Sequence, residues 1–193
     1  LRIAEKSKLG KRVLTFNSIP EWITLNDTPD FTSMVNKVKE SSFGMNTNFR
    51  EALNMILDCA INNNISPINM KDMTLVILSD MQIDKSSLPE DNNSMFALMK
   101  NKYEEAGMKS IYKKPYTLPH IIFWNLRTTN GFPSLTTTKN TSMMSGNNSV
   151  LLNSFCKNGM NGLNDMTPWK FLKKTLSNER YDYLGNIVNS NWN

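Results

Sequence analysis

At 193 residues, with 39% hydrophobic and 9% aromatic content, the chain carries enough apolar material for one globular domain, residues 1–193, and calls for neither disulfide staples nor disorder. No apolar run approaches the roughly 20 residues that span a bilayer, and the opening Leu1-Arg2-Ile3-Ala4-Glu5-Lys6 is too charged for a signal peptide, which excludes membrane and secretory readings. Net charge is +5 and the isoelectric point about 9.2, an excess that permits an acidic partner without requiring one. The two cysteines, Cys59 and Cys156, sit in apolar helical patterns with no CxxC or Cys/His spacing, which suits reduced thiols in the cytoplasm and removes structural zinc. Asparagine occurs 27 times, more than turn chemistry needs, and reads as AT-rich coding bias rather than function.

In chain order, residues 1–9 read as the last turns of a helix stopped by Gly10. Val13 to Phe16 and Trp22 to Leu25 are β-rich runs joined by a connector short enough for an antiparallel hairpin. Thr28-Pro29 reads as an N-cap with proline at the first helical position, ahead of Phe31, Met34, Val35 and Val38 on one face. A polar loop, residues 41–48, leads into the clearest helical stripe in the chain, Phe49, Ala52, Leu53, Ile56, Leu57, Ala60 and Ile61. Leu75-Val76-Ile77-Leu78 has the continuous apolar character of a strand buried on both faces of a parallel sheet. Phe96, Met99, Tyr103 and Ala106 mark a helix closed by Gly107, and Ile121 to Trp124 a second buried strand. Residues 128–140 read as loop, and Ser142-Met143-Met144 as a last strand. Leu151 to Cys156 form a helix ended by Gly159, and Thr167-Pro168 caps a final helix carrying Trp169, Leu172 and Leu176. Alternating strands and helices with a hairpin at one edge predict an α/β fold with helices on both faces of a mostly parallel sheet.

Ligands of open parallel sheets bind beyond the carboxyl ends of the strands. Two residues meet that description here: Thr47, a hydroxyl in the loop that opens a helix, and Asp80, a carboxylate directly after the 75–78 strand. Together they can offer hard oxygens to a divalent cation. Plainer roles exist for both, since a threonine at a helix start caps a free N–H and an aspartate after a strand caps its loop. His120 is the sole histidine and begins a strand after Pro119, so no triad or histidine-rich metal site can be assembled around it. No glycine-rich phosphate loop or nucleophile elbow occurs, and the chain reads as a non-enzyme.

Gly44-Met45-Asn46-Thr47-Asn48-Phe49 leading into a long helix, followed by Leu75-Val76-Ile77-Leu78-Ser79-Asp80-Met81-Gln82, resembles the second and third loops of a von Willebrand factor A-type domain. More closely, the chain resembles the C-terminal half of a family related to the TROVE-module RNA-binding proteins, found in plants, microbes and large DNA viruses. Val13 to Phe16 with Pro20-Glu21-Trp22, Phe123-Trp124-Asn125-Leu126-Arg127, Ser145-Gly146 and Asn178-Glu179-Arg180-Tyr181-Asp182 carry the match further. The resemblance implies a three-layer fold and a metal-ion-dependent adhesion site, with Thr47 and Asp80 at two of its ligand positions. The Asp-x-Ser-x-Ser loop of that site, and the central first strand that carries it, have no counterpart in the sequence. The expectation is therefore an N-terminally incomplete domain that holds Mg²⁺ weakly, because two protein oxygens leave water to fill the octahedral shell. The expectation is then that the native protein is longer, or that a strand from another chain or from the tail beyond Tyr183 fills the gap.

The leading functional expectation is a protein-interaction module that meets a protein partner with Phe43, Met45, Asn46 and Asn48 around Thr47 and Asp80. The alternative is an RNA-binding surface over residues 100–116, where Lys100, Lys102, Lys109, Lys113 and Lys114 interleave with Tyr112 and Tyr116. Lysines supply phosphate contacts and tyrosines stack on bases, although a solvated helix face carries lysines for no such reason. The thirteen methionines fall mostly at helical core spacing and read as gap-fillers.

Overall fold

The computed structural model describes residues 1–15, 17–41, 48–81, 92–127, 139–177, 179–184 and 187, with backbone alone at 92–94 and 180. The chain is mixed α/β and divides into two compact units, Leu1–Gly146 and Asn147–Asn193.

In the first unit, a 3₁₀ turn at Ala4–Lys6 replaces the expected helical tail, and Gly10 follows at φ 93°. Strands β1 (Arg12–Leu14) and β2 (Trp22–Thr24) form the expected antiparallel hairpin, with Val13 opposite Ile23. Helix α1 spans Phe31–Lys39 and is capped by Asp30, which accepts from the Ser33 N–H at 2.7 Å and whose carboxyl that bond holds below its usual range. Thr28, expected to be the cap, donates its hydroxyl to the Leu25 carbonyl instead, so the helix begins two residues later than read. Helix α2 (Phe49–Asn62) buries the predicted stripe except Ile61, and Asn48 caps it through Glu51 N–H at 3.1 Å. A short helix α3 (Pro67–Lys71), capped by Ser66, was not evident from periodicity because five residues give one turn and no stripe.

Strands β3 (Thr74–Ser79), β4 (His120–Asn125) and β5 (Thr141–Ser145) form a parallel sheet in that order, separate from the hairpin. β4 is central and buried, as its Ile121-Ile122-Phe123-Trp124 run predicts. β3 is not buried on both faces: it ends the sheet order, and Leu78 is 49% exposed. His120 joins β4 to β5, its ring nitrogens 2.8 Å from Ser142 Oγ and 3.2 Å from Asn140 Oδ1.

Helix α4 runs Asn92–Lys109, so Gly107 lies inside the helix rather than closing it. A Cβ at Gly107 would stand 2.2 Å from the Tyr116 backbone nitrogen and 2.4 Å from the Lys114 carbonyl oxygen. The glycine is there for the returning chain, which packs directly on the helix. Phe49 joins α2, α4 and β4 through its ring contacts with Phe96 at 6.2 Å and Phe123 at 5.9 Å. Met70, Met95, Met99 and Tyr103 complete that core, in line with methionine as filler.

In the second unit, α5 (Ser149–Asn164) is capped by Asn148 and breaks at Gly159, where φ is 57° and ψ −143°, the point at which sequence reading ends the helix. Beyond the break the chain folds back so closely that a Cβ at Gly162 would lie 2.5 Å from the Ser154 carbonyl oxygen. Helix α6 (Pro168–Leu176) has the predicted Thr167 cap and proline start. Its Trp169, Leu172 and Leu176 are exposed.

Candidate functional site

Because β3, β4 and β5 are parallel and in register, Ser79, Asn125 and Ser145 lie side by side at the carboxyl end of the sheet. Backbone bonds lace the chain leaving each strand to its neighbour: Leu126 N–H donates to Ser79 O and Gly146 N–H to Asn125 O, both at 2.9 Å. The Trp124 indole donates to Gly146 O at 2.8 Å, and Asn125, 2% exposed, accepts from Arg127 N–H through Oδ1 at 2.9 Å. The turns after β4 and β5 are thus each held by a backbone carbonyl of the neighbouring strand.

On this rim the register brings two opposite charges together. Arg127, two residues past β4, places Nη1 3.6 Å from Asp80 Oδ2, one residue past β3. Asp80 is half-buried and Arg127 exposed, so the pair is worth only about 0–1 kcal/mol, but it presents a guanidinium where a cation would otherwise approach the carboxylate. Met81, next in sequence, adopts a left-handed backbone at φ 63°, held by its N–H donating to Ser79 Oγ at 3.1 Å. For a side chain with a Cβ that conformation costs roughly 1–2 kcal/mol.

Of the residues singled out from sequence, Asp80 lies on this rim. Thr47, Phe43, Met45 and Asn46 lie outside the described residues. Asn48 uses its side-chain oxygen to cap α2 and its amide to reach Ser18 O at 3.5 Å, tying the helix to the hairpin connector. Asn125, Arg127 and Met81 received no role from sequence reading. The signal for Arg127 was its position just past an apolar strand, the criterion that selected Asp80. Among the described residues, no three of His, Cys, Asp and Glu converge as a metal-binding group.

The residues of the RNA alternative do not form one surface. Lys100 and Lys109 are nine positions apart on α4, which at about 100° per residue puts them on opposite sides, while Lys102 shares the side of Lys109. Lys100 pairs with Glu104 and Lys109 with Glu105, and Lys102 donates to Asn54 at 2.7 Å. Tyr116 is a correction: its ring is 1% exposed and its hydroxyl donates to Ile65 O at 2.9 Å, so it offers no face to a base. Tyr112 similarly donates to Asn64 O at 2.7 Å, and the two tyrosines pin the turn that follows α2. Lys113 and Lys114 remain exposed beside them.

A family model described as a domain of unknown function, DUF7788, matches residues 3–182, nearly the whole chain. The chain belongs to the DUF7788 family. It is also similar to "Uncharacterized protein L728" of Acanthamoeba polyphaga mimivirus, 32% identical over 143 residues, which cover 73% of this chain and 23% of the viral protein. This DUF7788 chain thus spans about a quarter of that relative's length. No solved structure matches it. No helix among its described residues is long and apolar enough to cross a membrane.

Proposed function

We propose that this DUF7788 chain is a non-enzymatic protein-interaction module of von Willebrand factor A type, presenting the carboxyl-end rim of its parallel sheet to a protein partner. The observation that carries the reading is the Asp80–Arg127 contact at 3.6 Å. A carboxylate at the aspartate position of an adhesion site is met by the chain's own guanidinium, which fits a site that has given up tight metal binding. Such a rim can offer a partner one negative and one positive group side by side, at the place where parallel sheets bind their ligands. The split of the lysines over opposite sides of α4 makes RNA the weaker reading.

On the same reading, the edge of β3 turned away from β4 takes a further strand, between β3 and the hairpin, from another segment or another chain. Its support is that β1 and β3 belong to separate sheets and that β3 has one sheet neighbour among the described residues. An unpaired edge with an exposed Leu78 invites such addition.

The experiment is a proximity-labelling comparison of the protein with its Asp80→Lys and Lys113→Glu/Lys114→Glu variants, each in Mg²⁺ and in chelator. A set of protein neighbours lost in Asp80→Lys, retained in the lysine variant and indifferent to chelator supports the reading. RNA retained on the wild type and lost only in the lysine variant overturns it.

A further inference from the structure

The second unit holds an open groove of about 650 Å³ between the folded-back end of α5 and helix α6. Helix α6 is half-buried at Phe171 and Thr175, and its Trp169, Leu172 and Leu176 are exposed. Lys170, Lys173 and Lys174, at i, i+3 and i+4 on one face, are solvent-exposed and line the groove. Asp165 is the one carboxylate on the wall, and none of the three lysines forms an ion pair among the described residues.

The floor orients one of these charges. Ser154, 2% exposed, donates its hydroxyl to Gly162 O at 2.9 Å and so turns its lone pairs toward Lys174 Nζ, which donates back at 3.1 Å. The ammonium is thereby drawn toward the groove floor. That geometry depends on Gly162, whose missing Cβ lets the α5 backbone close on Ser154. Three like charges on adjacent turns repel one another, and a bound anion relieves that repulsion. Met166 and the methylene stems of the lysines supply an apolar wall beside the charges.

We propose that this groove binds a phosphate-bearing small molecule of mononucleotide size, its phosphate held by Lys170, Lys173 and Lys174 and its remaining body against Met166. The volume falls within the range of small-molecule sites, roughly 300–1,000 Å³, and exceeds what a lone phosphate fills. The site lies wholly within the second unit and does not rest on the role proposed for the strand-end rim.

The test follows backbone amide signals of the whole chain during titration with AMP, adenosine and inorganic phosphate. The expected result is a saturable shift with AMP confined to residues 154–177, at least about tenfold weaker with inorganic phosphate and with adenosine. Lys170→Gln/Lys173→Gln should weaken AMP by about tenfold or more, with the amides of the first unit unmoved, and Lys173→Gln alone should give an intermediate loss. Lys113→Gln/Lys114→Gln should leave it unchanged. Adenosine binding as well as AMP, shifts spread equally over the lysines of α4, inorganic phosphate binding as tightly as AMP, or no saturation at millimolar AMP would each overturn the proposal.

Discussion

Arg127 Nη1 lies 3.6 Å from Asp80 Oδ2, joining the turns that follow two adjacent parallel strands. The contact exists because β3 and β4 are aligned so that Ser79 faces Asn125, which sets the two turns side by side. A one-residue slip would reverse which face each strand presents and send the charges to different places. The ion pair is therefore a readout of sheet register as well as a feature of the candidate site.

The first prediction concerns metal. Mg²⁺ and Mn²⁺ should bind the chain no more tightly than millimolar, because Asp80 is screened by its own arginine. The Coulomb interaction at this distance in water is about 1 kcal/mol, so Arg127→Ala should strengthen Mn²⁺ binding severalfold, and Asp80→Ala should abolish that gain. Titration calorimetry on the three proteins checks it, and micromolar affinity in the wild type would contradict it.

Gly107→Ala should be among the most damaging small changes in the chain. Glycine to alanine inside a helix normally stabilises by about 0.5–1 kcal/mol. Here the new methyl meets backbone atoms at 2.2 and 2.4 Å, which no side-chain rotation relieves. A loss of about 3 kcal/mol or more in urea unfolding is expected. Gly146→Ala is the control: with φ at 95° and open space around it, it should cost only about 1–2 kcal/mol of backbone strain.

Tyr103→Phe should cost about 1–3 kcal/mol, since it leaves the buried Leu53 carbonyl without the phenol that donates to it at 2.7 Å. Burial, with a smaller push from Asp58, raises the Tyr103 phenol well above its ordinary value. Its native form thus keeps a proton that the unfolded chain releases near pH 10, so this contribution is intact below pH 10 and is lost as pH rises beyond it. Chemical denaturation at pH 8 and pH 11 should show a steeper loss for the wild type than for Tyr103→Phe.

Lys113→Glu with Lys114→Glu should shift stability by about 0.5 kcal/mol or less, because both side chains are solvent-exposed. Retention of RNA across a salt series should be the same before and after the change. A shallower salt slope in the variant would point to phosphate contacts at this turn.

Much of the first unit was legible because burial writes itself into composition: an unbroken apolar run gave β4, and a seven-residue stripe gave α2. Errors arose where one residue type serves two physical needs. Gly107 reads as a helix stop, yet it is there for close packing, and nothing local distinguishes a glycine without room for a Cβ from one that needs a left-handed backbone. Tyr116 reads as a base-stacking ring beside Lys113 and Lys114, but the chain doubles back and buries it. Leu75 to Leu78 predicted a strand without revealing that it would end the sheet order. At the candidate site Asp80 was visible from its place after an apolar run, whereas its pairing with Arg127 depends on a parallel register between strands 41 residues or more apart in sequence.

Among the described residues, the tryptophans give the two compact units different optical signatures. Trp124 is 3% exposed in the first unit, with its indole bound to Gly146, and Trp169 is 70% exposed in the second. Trp22 stands half-buried in the hairpin with Arg12 over its ring. Emission from Trp124 is shielded from a dissolved quencher such as iodide, while Trp169 meets it freely. Melting the sheet moves emission to longer wavelength and opens Trp124 to the quencher, whereas melting α5 and α6 leaves Trp169 nearly as wet as before. With Trp192 replaced by phenylalanine, a single unlabelled sample therefore reports on the sheet unit almost by itself, and a thermal transition that circular dichroism sees but fluorescence does not belongs to the helical pair.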